Sequence, residues 1–485
     1  MVTIRSSISI RALLTVIGML APSGAARAAS PFTTVFTFPA SGKDGSTSVA
    51  DLAADPSSGV LYGVTYYGGN MSGNCAPLGC GTVFSLTPPP TKKGKWQEKV
   101  LYRFTGLDGG GIDGANPAGP LWFDAATHTL YGSTLYGGAG TCPDAEGAVG
   151  CGTVFSLTAP TAPAVAWKPK LLYRFTGEKG DGANPSGALT PSGSLLYGTT
   201  RNGGTGGLGT VFELPLAGGK AEPIYSFGSV AGDGANPYAG VVAATISSQF
   251  MLFGATANGG TTGGACGSTG CGTVFALAQV SGAWMESVQA FNFGNGATPY
   301  AGLTINGGVL YGVTYAGGSS ACLSNDPEGV AGCGTIFEVQ ATAGGLGDLQ
   351  TLYVFSGGAD GANPYAGVIF ANVLTAGVLY GTTAFGGDTT GACGAAGCGL
   401  LYRLALTGNL IEPLYTFQGG ADESNPYGGV IFDIDGNLYG ATAPLGAAVL
   451  QGATAPLDRP SDSGDNGTAF SFQCTKVPQC CGKGC

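Results

Sequence analysis

The chain reads Asp113-Gly-Ala-Asn-Pro117, then Leu130-Tyr-Gly-Ser-Thr134, Gly137-Gly138, Gly152-Thr-Val-Phe155 and Leu172-Tyr-Arg-Phe175. These segments form the second of seven copies of a sequence repeat. Each copy is marked by the tyrosine of its Leu-Tyr-Gly segment or, once, by a phenylalanine. The marking residues are Tyr62, Tyr131, Tyr197, Phe253, Tyr311, Tyr380 and Tyr439. Consecutive copies are between 56 residues (Tyr197 to Phe253) and 69 residues (Tyr62 to Tyr131) apart. Self-similarity at this period predicts one repeat architecture rather than several unrelated domains.

Each copy contains four short apolar runs bounded by Gly, Pro, Asn or Asp. In the second copy these runs lie near Ala118–Asp124, Thr129–Thr134, Gly152–Leu157 and Lys170–Phe175. Their length and their Val, Tyr, Phe and Thr content predict β-strands, and no stretch has helical periodicity. The sequence therefore predicts an all-β fold, a seven-bladed β-propeller of four-stranded antiparallel blades.

The two ends of the repeat array are complementary. The last copy supplies three strands, near 429–433, 437–442 and 467–472. The missing fourth strand matches 33–38, which repeats the Leu-Tyr-x-Phe pattern. We therefore expect an N-terminal strand to close the seventh blade, with residues 29–472 forming a single propeller.

The composition fits blades that are buried on both faces. Only 10% of the residues are charged, 44% are hydrophobic, and the chain has 90 glycines and 28 prolines. The hydrophobic content argues against disorder, because a disordered chain lacks the apolar surface needed to fold. The net charge is −10, and the sequence has no Lys/Arg run. Nucleic-acid binding depends on a basic surface, so we expect no nucleic-acid partner.

Residues 1–28 are typical of a secretory signal peptide. Arg5 and Arg11 precede an apolar core, Ala12–Leu20, and Ala26-Arg27-Ala28 is a small-residue cleavage site. The core is too short to span a bilayer, so we expect no membrane span in the mature chain. Fourteen cysteines in an exported chain indicate disulfides and an oxidising compartment, either secreted or in the periplasm and cell envelope.

The repeated Asp-Gly-Ala-Asn-Pro, Leu-Tyr-Gly-Thr-Thr, Gly-Gly and Gly-Thr-Val-Phe segments resemble the GloVer tandem repeat of bacterial exported proteins, the choice-of-anchor family. The resemblance covers about residues 31–472. It implies an exported repeat protein of the cell envelope or the extracellular space. Members often end in a hydrophobic and basic sorting signal, whereas residues 473–485 of this chain form a Cys-rich tail.

Two unusual segments should share one face of the predicted disc, the Asp-Gly-Ala-Asn-Pro turns and the Gly-Gly…Gly loops. Five of these loops contain a cysteine pair, and pairs that occur together within one loop should form disulfides. The pairs are Cys75/Cys80, Cys142/Cys151, Cys266/Cys271, Cys322/Cys333 and Cys393/Cys398. Each disulfide should contribute about 2–3 kcal/mol, either by preparing the loop for binding or by stapling it. The tail cysteines allow two disulfides, a zinc site or an intermolecular link; they are Cys474, Cys480, Cys481 and Cys485.

Acidic residues recur at the start of the Asp-Gly-Ala-Asn-Pro turn. These are Asp113, Asp181, Asp233 and Asp360, with Asn295 and Asp422 as variants. Calcium binding is one interpretation, and the loops containing Asp144/Glu146 and Asp326/Glu328 share it. We favour a turn in which Asp accepts backbone hydrogen bonds, Gly has a positive φ and Asn is extended before Pro. We assign no metal site.

Aromatic residues cluster at two repeat positions. The first set precedes or neighbours the Gly-Gly pair and provides our ligand-binding candidates, Tyr66, Tyr67, Tyr136, Tyr315 and Phe385. The second set follows the repeated proline and consists of Tyr238, Tyr300, Tyr365 and Tyr427. If exposed, these side chains would form stacking surfaces for a glycan or a protein; if buried, they would pack blade against blade.

The sequence offers little support for catalysis. The single histidine, His128, lies in a predicted turn, and the chain has no His-Glu-x-x-His, Gly-x-Ser-x-Gly or Walker-type motif. We therefore expect a non-enzymatic binding or structural module, monomeric and without a cofactor, whose ligand is a glycan or a protein. The alternative is a carbohydrate-active enzyme, a glycoside hydrolase or lyase, that uses carboxylates on the loop face.

Overall fold

The computed structural model describes residues 31–473 except 39–41, 49, 92–93, 107–113, 139, 143–149, 162–165, 179, 323–330, 374–375, 423 and 443–466. The expected signal peptide, the tail cysteines, Asp113 and the acidic residues at 144, 146, 326 and 328 lie outside this part of the chain.

Seven four-stranded antiparallel sheets form a seven-bladed β-propeller, as the repeat predicted. From the inner to the outer strand, blade one consists of β2 (Ala53–Ala54), β3 (Leu61–Thr65), β4 (Thr82–Thr87) and β5 (Gln97–Arg103). Blade two consists of β6 (Trp122–Asp124), β7 (Thr129–Thr134), β8 (Thr153–Thr158) and β9 (Lys168–Arg174). Blade three consists of β11 (Thr190–Ser192), β12 (Leu195–Thr200), β14 (Thr210–Pro215) and β15 (Glu222–Ser226).

The remaining blades repeat this order. Blade four consists of β17 (Val242–Ile246), β18 (Gln249–Thr256), β20 (Thr273–Val280) and β21 (Ala283–Ala290). Blade five consists of β22 (Thr304–Asn306), β23 (Val309–Thr314), β24 (Thr335–Thr342) and β25 (Gly345–Val354). Blade six consists of β26 (Ile369–Val373), β27 (Ala376–Thr383), β28 (Leu400–Ala405) and β29 (Leu410–Thr416). Blade seven consists of β30 (Val430–Phe432), β31 (Leu438–Ala441), β32 (Thr468–Phe472) and β1 (Phe32–Thr37).

Smaller elements lie in the connections between these strands. Two two-stranded ladders pair β10 (Gly182–Ala183) with β13 (Asn202–Gly203) and β16 (Gly234–Ala235) with β19 (Asn258–Gly259). The helices of the described residues are four 3₁₀ turns, Gly73–Cys75, Gly264–Cys266, Gly394–Ala396 and Gly420–Asp422. Each has only three residues, and none is long and apolar enough to cross a membrane.

The N-terminal strand closes the ring, as predicted. β1 pairs antiparallel with β32, from Phe32 opposite Phe472 to Thr37 opposite Thr468. A bulge between Thr34 and Phe36 interrupts the ladder. The first described strand is therefore the outer strand of the last blade.

The core lies between the blades, and the repeat motif supplies it. The last Phe of Leu-Tyr-x-Phe in one blade meets the Phe, or once the Tyr, of Gly-Thr-Val-Phe in the next, edge to face. This contact recurs at all seven junctions, with ring centroids 5.0–5.5 Å apart. The pairs are Phe104–Phe155, Phe175–Phe212, Phe227–Phe275, Phe291–Phe337, Phe355–Tyr402, Phe417–Phe470 and Phe38–Phe84. Such aromatic pairs stabilise a core beyond the burial of their area.

The glycine and threonine of the motif serve the same packing. In blade four the ring of Phe275 crosses Gly254, where a Cβ would lie 2.5 Å from the ring. Thr256 and Thr273 share a buried hydrogen bond of 2.8 Å across the same strand pair. The Gly, Thr and Phe residues of the motif therefore pack the two central strands of a blade against each other.

Candidate functional site

The Asp-Gly-Ala-Asn-Pro turns and the Gly-Gly loops lie together at one end of the disc, which we call the loop face. In blades one to six the backbone of the turn pairs with the loop of its own blade, as between Ala115 and Tyr136 or between Ala362 and Phe385. In blades three and four the same pairing forms the ladders β10–β13 and β16–β19. The two most unusual features of the sequence therefore share one face.

The asparagine before each proline is left-handed rather than extended, so our expectation for it was wrong. Its φ lies between 53° and 60° at Asn116, Asn184, Asn236, Asn363 and Asn425. The cause is a pair of hydrogen bonds that the asparagine donates to the preceding blade. The side-chain amide of Asn363 donates to the carbonyl of Tyr315 at 2.9 Å, and its backbone N–H donates to the carbonyl of Cys333 at 2.8 Å. Asparagine tolerates this conformation better than most residues, and two buried hydrogen bonds compensate for it.

The five predicted loop disulfides are present: Cys75–Cys80, Cys142–Cys151, Cys266–Cys271, Cys322–Cys333 and Cys393–Cys398. They also pack against the turn that leads to the next blade. A Cβ on Gly106 would lie 2.9 Å from Cys80 Sγ. In blade three, whose loop has no cysteine, the side chain of Leu208 occupies the matching place beside Gly228. The disulfide therefore both closes the loop and fills a junction between blades.

The five candidate aromatic residues lie on the loop face but are largely enclosed. Tyr66 is 1% exposed, Tyr315 is 2% exposed and Tyr67 is 6% exposed, whereas Tyr136 and Phe385 are half-buried. Four of them pack in one cluster with Tyr365 and Tyr427. They therefore support the residues around the propeller axis.

The second aromatic set surrounds an axial cavity of about 300 Å³. Tyr238, Tyr300, Tyr365 and Tyr427 follow the repeated proline in blades four to seven. Their ring centroids are 4.8 Å, 5.5 Å and 5.4 Å apart in that order, so they form a continuous tyrosine arc. Burial raises the pKa of Tyr427 to about 12, so its hydroxyl stays protonated at neutral pH.

Small residues bring the blades close enough together to form this cavity. The backbone runs beside the neighbouring blade at Gly187 and Gly240, where any Cβ would collide with main-chain atoms. Ser186 Oγ donates to the carbonyl of Tyr238 at 2.7 Å across the same junction. The glycines that follow the proline are therefore needed for the close approach of blades at the axis.

Among the described residues, two charged side chains line the cavity, and neither was among the candidates that the sequence suggested. Arg201 is 6% exposed, and its guanidinium carbon lies 3.8 Å from the ring centroid of Tyr238. Asp51 accepts a hydrogen bond of 2.6 Å from the backbone N–H of Gly429. Burial raises the pKa of Asp51, and this hydrogen bond opposes the shift only in part. Each of the two residues is charged at a repeat position where the other copies have an uncharged residue. The equivalents of Asp51 in the other blades, for example, are Gly, Ala or Pro. This difference between copies is the sequence signal that could have revealed both residues.

The turn aspartates act as hydrogen-bond acceptors. Asp360 accepts from the backbone N–H of Ser356 at 2.9 Å, from its hydroxyl, and from the hydroxyl of Tyr353 at 3.0 Å. No three His, Cys, Asp or Glu side chains within the described ranges are grouped so that they could hold a metal ion. His128 lies in an exposed turn with a φ of 48°.

Comparison with known families assigns the chain. The sequence profile of the Gloeobacter/Verrucomicrobia repeat matches residues 79–323 and 140–388, which together cover more than half of the chain. The chain belongs to the Gloeobacter/Verrucomicrobia repeat family. No curated protein matches this member of the repeat family.

Several solved structures are similar to this repeat-family propeller. A europium-containing methanol dehydrogenase has 10% identity and a TM-score of 0.43, over 91% of this chain and 93% of that one. The tricorn protease has 10% identity and a TM-score of 0.36, over 78% and 27% of the two chains. A puromycin-hydrolysing peptidase of Mycobacterium tuberculosis has 11% identity and a TM-score of 0.36, over 86% and 62%. The chain thus spans about a quarter of the length of the tricorn protease and less than two thirds of the peptidase.

Proposed function

We propose that this repeat-family propeller is an exported, non-enzymatic binding module that holds a glycan in its axial cavity. The tyrosine arc is the observation that carries the proposal. Tyr238 and Tyr365 are half-buried and line the cavity, while Tyr300 (4% exposed) and Tyr427 (7% exposed) pack against them. Tyrosine offers an apolar ring face for stacking on a sugar and a hydroxyl for hydrogen bonding. A cavity of about 300 Å³ is at the small end of ligand sites, so it suits one or two sugar units at a chain end.

The enclosed aromatic residues of the first set pack against the tyrosine arc. The ring of Tyr315 lies 5.5 Å from that of Tyr300 and 6.2 Å from that of Tyr365. In this proposal, Tyr66, Tyr67, Tyr136, Tyr315 and Phe385 position the arc, and the loop disulfides hold the loops that carry them.

The carbohydrate-active alternative needs a second acid. Glycoside hydrolases of both stereochemical classes use two carboxyl groups. Asp51 is the one carboxylate among the described residues that line the cavity. The described lining therefore supports binding rather than hydrolysis.

The test is a binding screen of the oxidised protein without residues 1–28 against glycans and cell-wall polymers, followed by calorimetry. We expect Tyr365→Ala to weaken a specific hit about tenfold, which corresponds to about 1.4 kcal/mol. Trp284→Ala, on the outer strand β21, is the matched control and should bind normally. A ligand that binds Tyr365→Ala as tightly as it binds the parent protein would place the site elsewhere, and release of shortened sugars would favour the enzyme.

Export forms part of the proposal. Five disulfides support an oxidising compartment, such as the periplasm, the cell envelope or the medium. N-terminal sequencing of the protein recovered outside the cytoplasm should begin at residue 29. A mature protein that begins at Met1 would contradict the cleaved signal peptide.

A further inference from the structure

The axial cavity contains a cation at a repeat position where the other six copies of the repeat have an uncharged residue. Arg201 follows the Leu-Tyr-Gly-Thr-Thr segment of blade three. In the sequence, the equivalent residues of the other six blades are Tyr66, Leu135, Ala257, Tyr315, Ala384 and Ala443. The blade architecture therefore accepts an uncharged residue here, and the fold does not require arginine.

The position of Arg201 is unfavourable for a charged side chain because it is buried. Arg201 is 6% exposed, and burying an ion is unfavourable unless its surroundings compensate. Compensation comes from an aromatic ring, because the guanidinium lies over the face of Tyr238, an attraction that strengthens when the pair is shielded from water. A guanidinium stacked in this way still donates hydrogen bonds along its edges, in its own plane.

We infer that Arg201 makes the axial cavity selective for a ligand with an anionic group, such as the carboxylate or sulfate of an acidic sugar. This inference rests on the proposed function, because it names the class of glycan that the same cavity would bind. Arginine matches the planar, two-oxygen geometry of such groups.

The charges of the rest of the protein limit the ligand further. The chain has a net charge of −10, which repels a polyanion at long range. Asp51 also lines the cavity; burial raises the pKa of its carboxyl, and its Oδ1 already accepts a hydrogen bond from the backbone N–H of Gly429. A ligand end with one acidic group therefore fits better than a densely charged polymer.

The experiment compares two probes that differ in one group, galacturonic acid and galactose, whose C6 is a carboxylate in the first and a hydroxymethyl group in the second, by calorimetry on the oxidised protein. We expect the parent protein to bind the acidic probe at least tenfold more tightly, since hydrogen bonds to charged groups are among the strongest in proteins. Arg201→Ala should lose this preference while keeping the affinity for the neutral probe. Alanine occupies the same position at Ala257 and Ala384, so the variant should fold.

The control is Lys220→Ala, which removes an exposed cation paired with Glu222 and should leave both affinities unchanged. Equal binding of both probes by the parent protein, with Tyr365→Ala weakening both, would overturn the inference and leave the proposed function standing. A preference that survives in Arg201→Ala would also overturn it. Failure of both probes and of the whole glycan screen would refute the proposed function and this inference together.

Discussion

Replacing Glu286 by glutamine is expected to stabilise the protein at neutral and alkaline pH. Glu286 lies on β21 of blade four and accepts a hydrogen bond of 2.9 Å from the hydroxyl of Tyr225, on blade three. Its neighbour Asp233 accepts a hydrogen bond of 3.1 Å from the backbone N–H of Ser229. The other oxygen of each carboxyl group is buried and has no hydrogen-bond donor among the described residues. Two acids thus face each other at a blade junction.

The magnitude follows from the pKa of Glu286. Burial, and after it the charge of Asp233, raises this pKa to about 8 from its ordinary value of 4.5. Between these values the folded chain keeps a proton that the unfolded chain has lost, so stability falls as the pH rises from 4.5 to 8. The full difference corresponds to about 5 kcal/mol, and partial exposure of the carboxyl reduces it to about 2–4 kcal/mol. Glutamine has no such titration, and its amide can donate to Asp233.

The assay is denaturant unfolding at pH 5, 7 and 9, with the parent protein and Glu286→Gln side by side. The parent should lose stability as the pH rises, and the variant should lose less, with its advantage greatest at pH 9. Part of the slope should remain, because burial together with the charge of Asp44 also raises the pKa of Glu98, to about 7. Asp360→Asn is the control, since Asp360 holds the repeat position of Asp233 but accepts hydrogen bonds from three donors, and this variant should not gain stability at pH 9. An unchanged slope in Glu286→Gln would refute the reasoning.

Two further predictions concern the scaffold. Deleting residues 29–40 removes β1 and the contact of Phe38 with Phe84, so the melting temperature should fall markedly; an unchanged value would contradict the closure of blade seven. Gly254→Ala puts a Cβ 2.5 Å from the ring of Phe275 and should cost about 1–3 kcal/mol in denaturant unfolding. The control Gly294→Ala, whose Cβ would lie 3.6 Å from Asn292, should be nearly neutral, and equal losses in both variants would contradict the packing argument.

The architecture could be predicted from the sequence because the same pattern of four strands and bounding turns recurs in seven copies. Strand positions, the seven blades and the closing strand at 32–37 follow from one period and one unmatched copy. The inner strand of blade two begins later than predicted, at Trp122, because the residues before it run along the axis outside the ladder.

The details that the sequence missed depend on contacts between copies. A local rule places the residue before proline in an extended conformation, but the hydrogen bonds of Asn363 to the preceding blade reverse it. Glu286 lies 53 residues beyond Asp233, and only the packing of blade three against blade four brings them together. The convergence of the tyrosine arc likewise requires the ring geometry, which spacing along the chain does not contain.

Closure of blade seven has a consequence for the timing of folding. β1 lies at the start of the described chain, and its partner β32 begins more than 430 residues later, at Thr468. The first strand therefore waits unpaired until almost the whole array has emerged, and such distant pairing is slow. During that interval its edge is open to other chains. A chain that crosses a membrane unfolded and closes its ring afterwards would meet this delay outside the crowded cytoplasm, and the closed ring then has no terminal blade from which unfolding could begin.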